Sequence, residues 1–224
     1  MNEAAVIDFH THSFLSDGEL VPAELARRCL VSGYSVLGMA DHVDHGTLPD
    51  VLRQLRAAAS ALNGHMDGLC LLPGVEITHV PPALIGDLVK QARDLGASHV
   101  VVHGETPVEP VAPGTNRAAI EAGADILAHP GILSEKDAEL AAEKGVHVEL
   151  SGRGGHSLGN GLVAALARRY GFKLVINSDG HAPGDYLTPA RRRLIALGAG
   201  LSEEEYAAVL ADAARLADVF KKRL

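Results

Sequence analysis

Short runs of apolar, often β-branched residues alternate along the chain with longer segments whose apolar residues recur at helical spacing. The short runs predict strands, and the longer segments predict amphipathic helices that bury one face. The predicted strands span roughly residues 5–9, 35–40, 69–77, 99–102, 125–128, 146–150 and 173–177. The predicted helices span roughly residues 22–33, 50–62, 82–96, 115–122, 134–145, 158–170, 188–197 and 202–222.

Seven strand–helix units follow one another with no long linker and no internal repeat. Strict alternation predicts parallel strands joined by right-handed crossovers, and therefore one α/β domain over residues 1–224. Seven units favour a closed or nearly closed (β/α)7 barrel, and an open doubly wound sheet is the alternative that periodicity does not exclude. Capping-box patterns that begin at Ser134 and Ser202 mark two of the helix starts.

Residues that can bind metal ions lie at the carboxyl ends of the predicted strands or just beyond them. They are His10, His12, Asp17, His42, Glu76, His103, His129, Asp179 and His181. In a parallel barrel the carboxyl ends of all strands meet at one rim, where barrel folds build their active sites. The sequence therefore predicts one cluster of imidazoles and carboxylates, whose members are the candidate catalytic and metal-binding residues.

The segment from Asp8 to His12 is the strongest single motif, because Asp8, His10 and His12 occupy alternate positions. Alternate residues of a strand share a face, which places the two imidazoles about 6–7 Å apart at Cα, close enough to bind one ion. The competing interpretation is a polar strand end that lines a loop. Each remaining position is weak alone, since a lone buried histidine is more often a core residue than a ligand. The common rim is what favours a site.

The formal charge is −8, from 20 Lys and Arg against 28 Asp and Glu. A protein that grips long nucleic acids is usually basic, so we expect no extended nucleic-acid binding. A metal cluster still makes one pocket locally positive, and a small anionic substrate remains compatible. Cys29 and Cys70 lie in apolar stretches and form neither a disulfide framework nor a metal motif.

The first residues lack the basic region and apolar run of a signal peptide. No apolar stretch approaches the ~20 residues that a membrane-spanning helix needs. A cytoplasmic protein is therefore expected.

The combined motifs resemble those of the polymerase and histidinol phosphatase (PHP) superfamily. The matching segments are Asp8-Phe-His-Thr-His12, Ser16-Asp17-Gly18, Ala40-Asp41-His42, Gly74-Val-Glu76, His103, His129-Pro130 and Ser178-Asp179-Gly-His181. They cover most of the chain. The resemblance implies a distorted seven-stranded, TIM-like barrel with a trinuclear metal site.

By this resemblance, each of the three ions has its own ligands. The first is held by His10, His12, Glu76 and Asp179; the second by the bridging Glu76 with His103 and His129; the third by Asp17, His42 and His181. Some family members have histidine in place of Asp17, so two or three ions are expected. Zn, Mn and Fe all suit mixed imidazole and carboxylate shells.

Other polar residues on the same rim are candidates for substrate contact. Arg153 lies in a glycine-rich loop after the sixth strand and offers a fork-shaped phosphate donor, with a solvated loop arginine as the alternative. Glu105 follows the fourth strand and is a weaker candidate. His45, His79 and His156 lie in loops on this face. Each could contact substrate, but a role without substrate contact is favoured. Asp8 and Asn177 either orient imidazoles or cap backbone groups.

The predicted activity is hydrolysis of a small phosphate monoester by a metal-activated water. A cluster whose metal ions carry more positive charge than its carboxylates carry negative charge binds a phosphate dianion. It also lowers the pKa of a bound water towards neutrality. The resemblance makes histidinol phosphate one candidate substrate. The alternatives are a phosphodiesterase or exonuclease on short nucleotides and, from another class, a non-catalytic binding domain. The complete set of ligands speaks against the last of these.

Overall fold

The predicted alternation of strands and helices is present in the computed structural model, which describes residues 5–224. Residues 1–4, part of the segment on which the signal-peptide expectation rests, lie outside the described residues. The strands are β1 (Val6–Thr11), β2 (Tyr34–Met39), β3 (His42–Val43), β4 (Cys70–Pro73), β5 (Val75–Ile77), β6 (Val100–His103), β7 (Ile126–Ala128), β8 (His147–Ser151) and β9 (Leu174–Asn177).

Every strand is followed by a helix except β2 and β4, which lead directly into β3 and β5. The α-helices are α1 (Pro22–Val31), α2 (Leu48–Leu62), α3 (Pro82–Asp94), α4 (Thr115–Glu121), α5 (Glu135–Lys144), α6 (Asn160–Tyr170), α7 (Pro189–Gly198) and α8 (Glu203–Lys221). A 3-10 turn over His156–Gly159 precedes α6. No helix within residues 5–224 is long and apolar enough to cross a membrane.

All strand pairs are parallel, and the fold is the predicted distorted (β/α)7 barrel. One sheet has the order β1-β2-β4 and the other the order β3-β5-β6-β7-β8-β9. A parallel bridge between Thr11 and Gly180 joins the first strand to the segment after β9. The strand ends therefore form one continuous rim, which the prediction of a shared site requires.

The third barrel strand, predicted as one run over residues 69–77, is divided at Gly74. Before the division β4 pairs with β2, and after it β5 pairs with β3 and β6. A Cβ at Gly74 would lie 2.2 Å from the ring of His99. His99 is held there by the carbonyl oxygen of Phe9, which lies 2.8 Å from its Nε2, and by stacking against Phe220. Glycine therefore lets the strand change sheets just before Glu76.

Alternate strand residues face either the barrel interior or the surrounding helices. In β6, Val101 belongs to the inner cluster, and Val100 and Val102 to the outer layer. The inner cluster also contains Phe9 and, from the last helix, Phe220. The interior below the rim is thus a packed apolar core, and polar groups are concentrated above it.

The two predicted capping boxes differ in the structure. Ser202 accepts a hydrogen bond from the Glu205 backbone N–H, and Glu205 accepts one from Ser202, so the box is reciprocal. Ser134 caps α5 by accepting from the Asp137 backbone N–H at 3.1 Å. Both serines therefore begin the helices that the sequence predicts.

Gly74→Ala tests whether this glycine is required at the division of the third strand. The added methyl group meets a buried ring, and such overpacking costs about 1–3 kcal/mol. Gly86→Ala is the matched control, because Gly86 lies exposed in α3 with no atom near its added Cβ; it should stabilise by about 0.5–1 kcal/mol. Urea unfolding with chelator present measures both changes. Equal midpoints for the two variants would contradict this account.

Candidate metal centre

The nine predicted ligands come together at the carboxyl rim. His10 lies within β1, and His12 follows it; His42, Glu76 and His103 lie in β3, β5 and β6. The others lie on the loops that follow β1, β7 and β9, and are Asp17, His129, Asp179 and His181. Six of the nine line a cavity of about 230 Å³, to which Arg153 also contributes; His10, His12 and Glu76 are fully buried beside them.

Glu76 is completely buried at the centre of the cluster. Its Oε1 lies 3.3 Å from His10 Nε2 and 3.5 Å from His129 Nε2. Its Oε2 lies 2.7 Å from His42 Nδ1 and 3.7 Å from His12 Nε2. One carboxylate therefore faces four imidazoles from three different parts of the chain, as a carboxylate shared between ions would.

Asp179 is the second buried carboxylate of the cluster. Its Oδ1 lies 3.3 Å from His12 Nε2 and 3.8 Å from His10 Nε2, and its Oδ2 lies 3.6 Å from His129 Nε2. One ligand atom from each of His10, His12 and Asp179 lies within 4.8 Å of the other two. Together with Glu76, this is the first ligand group that the family resemblance implies.

A third group forms at the more open side of the cavity around Asp17. Its Oδ1 lies 3.1 Å from His181 Nε2, 3.4 Å from His42 Nε2 and 4.0 Å from His12 Nδ1. The implied trio of Asp17, His42 and His181 is therefore assembled, with His12 beside it. Asp17 is half-exposed, so this position is the most accessible to solvent.

His103 and His129 make up the remaining group, together with His156, which the sequence placed on this face but not among the ligands. Ligand atoms of His103, His129 and His156 lie within 4.8 Å of one another. His129 approaches Glu76, whereas His103 Nε2 lies 3.1 Å from Glu109. The structure thus assembles all nine predicted residues and adds His156 and Glu109 to them.

Several buried polar atoms of this cluster have no hydrogen-bond partner. Among the described residues, the buried unpartnered atoms include His10 Nε2, both ring nitrogens of His12 and of His129, and Glu76 Oε1. Each such atom left unpaired costs about 1–3 kcal/mol, and native proteins seldom tolerate several together. Imidazole nitrogens and carboxylate oxygens are the donors that Zn, Mn and Fe bind. The residues therefore fit divalent metal ions.

Electrostatics within the cluster show the same need for cations. Although burial acts in the opposite direction, His10 and His42 hold the pKa of the Glu76 carboxyl well below its usual range. Burial raises the pKa of Asp179 to about 7. Burial, together with the neighbouring His42, lowers the pKa of His12 well below its usual range, which favours the neutral imidazole that metal ions bind. The positive charge of the imidazoles thus favours ionisation of Glu76 but does not overcome the effect of burial on Asp179.

Glu149, which the sequence analysis missed, fixes the orientation of His10. Its fully buried carboxylate accepts from His10 Nδ1 at 2.7 Å and from Asn177 Nδ2 at 2.9 Å. The His10 ring proton therefore lies on Nδ1, which leaves Nε2 free to face the cluster. Carboxylates commonly hold metal-binding histidines in this way. An isolated glutamate within an apolar strand was the available signal.

Asp8 and Asn177 combine the two roles considered for them. Asp8 accepts from the backbone N–H groups of His10 and Ser178 and from the Tyr34 hydroxyl. Asn177 accepts from the backbone N–H of Phe9 and donates to Glu149. Both residues tie β1 to β9, and Asn177 also supports the carboxylate that orients His10.

Of the residues that the sequence suggested for substrate contact, some line the cavity and others lie away from it. Arg153 lines the cavity, where its Nη1 donates to the Asp179 carbonyl oxygen at 3.3 Å and lies close to His181 Nδ1. Glu105 does not reach it: its Oε1 accepts from the backbone N–H groups of Gly114 and Asn116 and so anchors the start of α4. His45 is exposed and lies outside the cavity lining.

Three cavity-lining residues other than glycine have positive φ angles: His79 at 54°, His129 at 25° and Asp179 at 51°. Among residues 5–224 no other non-glycine residue has one. Such conformations cost of order 1–3 kcal/mol each and collect at functional sites. The rim therefore accepts backbone strain in order to aim these side chains inwards.

None of the protein-family models compared with the chain matches it. An uncharacterised protein of Methanocaldococcus jannaschii is 44% identical over 199 residues, which cover 88% of this chain and 91% of that protein. The DNA polymerase/3'-5' exonuclease PolX of Bacillus subtilis is 28% identical over 78% of this chain and 34% of its own length. Ribonuclease P protein component 3 of Methanosarcina mazei is 28% identical over 92% of this chain and 85% of its own length.

Solved structures share the fold at lower identity. An archaeal ribonuclease P structure with mature tRNA contains a chain with a TM-score of 0.66 and 20% identity, matched over 97% of this chain and 91% of that one. The metal-dependent tyrosine phosphatases YwqE of Bacillus subtilis and CpsB of Streptococcus pneumoniae give 0.63 and 20%, over 94% of each chain. Histidinol phosphate phosphatase of Lactococcus lactis gives 0.61 and 14%, over 88% and 94%.

With this barrel, these motifs and these relatives, the chain belongs to the PHP superfamily. Within the superfamily, it belongs with the uncharacterised Methanocaldococcus jannaschii protein, which it matches over nearly its whole length.

Glu149→Gln tests the orienting role of this carboxylate. The amide can donate to His10 Nδ1 and so stabilise the wrong tautomer, and loss of such a partner lowers metal affinity about 10- to 100-fold. Competition with a chromophoric chelator measures the affinity. Glu143→Gln, which removes the same charge from an exposed position in α5, is the matched control. Metal affinities that agree for the two variants would show that Glu149 only fills the barrel interior.

Proposed function

We propose that the protein is a metal-dependent phosphoesterase that acts on small phosphate monoesters. The observation that carries this proposal is a cluster of nine potential ligands, several with buried unpartnered atoms, around one small cavity that six of them line together with Arg153. His10, His12, Glu76 and Asp179 would hold one ion, Glu76 with His103 and His129 a second, and Asp17, His42 and His181 a third. Zn, Mn and Fe all suit these donors.

Divalent ions bound by these residues would supply positive charge to a phosphate and would lower the pKa of a bound water towards neutrality. The protein's own contribution is position. Glu149 holds the His10 ring, and the strained backbone aims His129 and Asp179 at the same point. Arg153 places a guanidinium at the edge of the cavity, where it can grip phosphate oxygens as the reaction proceeds.

A small monoester fits the site better than a long chain does. The cavity of about 230 Å³ lies below the ~300–1,000 Å³ of pockets that bury drug-sized ligands. The chain is also acidic overall, with a formal charge of −8. Histidinol phosphate stays one candidate, since the barrel resembles that of a histidinol phosphate phosphatase.

Hydrolysis of phosphodiesters in short nucleotides is the second candidate function. It is favoured by the relatives named as a polymerase with 3'-5' exonuclease and as a ribonuclease P component. The ribonuclease P comparison also keeps RNA binding open, against the expectation from net charge. A non-catalytic binding domain is less well supported, because such a protein has no need to retain nine potential ligands, two of them on strained backbone.

A substrate panel with measured metal content separates these functions. Protein purified with its metal should hydrolyse phosphate monoesters, and chelation should abolish the activity because the ligands alone provide no nucleophile. We expect kcat/KM for the best monoester to exceed that for any dinucleotide. A preference for the dinucleotide of tenfold or more, about 1.4 kcal/mol in transition-state terms, would favour the diesterase. Full activity in metal-free protein would contradict the proposal altogether.

Arg153→Ala separates substrate grip from metal binding. A charge-assisted contact to phosphate is worth roughly 1.5–3 kcal/mol, so KM should rise about 10- to 150-fold if the contact is the same before and in the transition state. Metal content should stay at the wild-type value. Asp179→Asn is the contrasting variant, since it removes a ligand oxygen and should lower both metal content and kcat. Loss of metal in Arg153→Ala would instead mean that the arginine supports the cluster.

A further inference from the structure

Glu109 lies at the metal centre although it is outside the nine predicted ligands. The loop 104–114 between β6 and α4 carries it to the mouth of the cavity. Its Oε2 lies 3.0 Å from His79 Nε2 and 3.1 Å from His103 Nε2, and its Oε1 lies 3.2 Å from His156 Nε2. A loop carboxylate thus contacts three imidazoles at once.

The contact with His103 differs from an ordinary hydrogen bond between a neutral ring and a carboxylate. His103 Nδ1 lies 3.1 Å from the carbonyl oxygen of Gly104, which can only accept, so the proton of the neutral ring is on Nδ1. His103 Nε2 then presents a lone pair to Glu109 Oε2. Two acceptors this close repel one another unless a proton or a metal ion lies between them.

His156 shows the opposite arrangement. Within the described part of the chain, its Nδ1 is buried and has no partner. The ring proton therefore belongs on Nε2, where it is donated to Glu109 Oε1. His156 fixes one oxygen of the carboxylate and turns the other towards His103. His79 can donate to that second oxygen from the exposed side.

We propose that Glu109 is a tenth ligand of the metal centre, on the ion that His103 binds, with His156 as its positioning residue. Two donors of one four-coordinate ion stand about 3.3 Å apart when each is about 2.05 Å from the metal, close to the 3.1 Å between His103 and Glu109. The inference rests on the proposed metal centre and adds a ligand to it. Binding of that ion also fixes the loop 104–114 over the cavity.

Cobalt titration of metal-free protein tests the tenth ligand without reference to activity. Elemental analysis gives the number of ions bound, and the visible absorption of Co²⁺ reports its ligands. Glu109→Gln should bind the His103 ion at least tenfold more weakly, with a changed absorption band. Glu109→Asp, which keeps a carboxylate on a shorter side chain, should recover part of the affinity. Glu121→Gln, at an exposed position on α4, should match the wild type.

Two results would overturn the inference in different ways. If wild-type protein binds cobalt and Glu109→Gln binds the same number of ions with the same affinity and spectrum, a proton joins Glu109 to His103 and only the tenth ligand fails. If wild-type protein binds no divalent ion, the proposed metal centre fails as well. Circular dichroism of each variant establishes that it is folded; Glu109 is about one-third exposed, so little change is expected.

Discussion

The Glu76 carboxylate lies fully buried among four imidazoles, and the arrangement of the whole rim depends on it. A buried carboxylate needs compensating positive charge, because isolated charges are costly in a medium of low polarity. In the metal-free chain, part of that charge comes from His10 and His42, which hold the pKa of Glu76 well below its usual range. Neutral imidazoles, the form that metal ions bind, supply no positive charge, so bound cations would have to replace it. This requirement connects the histidines, the strained backbone and the proposed chemistry.

The barrel supplies the rigidity that such a cluster needs. Apolar residues fill the interior beneath the rim, and α8 adds Phe220 to that core. Above it, His10, His42, Glu76 and His103 are positioned by their own strands, and Glu149 on β8 sets the His10 ring. The division of the third strand at Gly74 lets β5 pair with β3, and that pairing sets Glu76 directly beside His42. The local backbone conformation at Gly74 thus determines the distance between two ligands of the site.

Residues on strands were predictable from the sequence, because strand polarity and the two-residue repeat determine their place. This reasoning located His10, Glu76 and His103 on one rim. The division of the third strand was missed, since it depends on the ring of His99 packing against Gly74 from elsewhere in the chain. Sequence spacing carries no such information about long-range contacts.

Loop residues were harder to predict for a related reason. Glu105 and Glu109 are four residues apart in one loop, yet Glu105 anchors the start of α4 and Glu109 reaches the cavity. Which of the two points inwards depends on the path of the loop, and neither strand periodicity nor composition determines that path. Glu149 was missed for another reason. Its position on a strand was predictable, but its partner His10 lies 139 residues away in the sequence.

Metal binding and folding are linked at this rim. The unpartnered atoms and the positive φ angles at His129 and Asp179 are unfavourable in the metal-free chain, and the hydrophobic core must offset them. A ligand that binds only the folded state stabilises it by an amount that grows with the logarithm of its concentration relative to Kd. Ions at the rim would therefore recover stability that the empty cluster costs. The same unsatisfied atoms that weaken the metal-free barrel would favour metal binding, because their desolvation is already present before an ion binds.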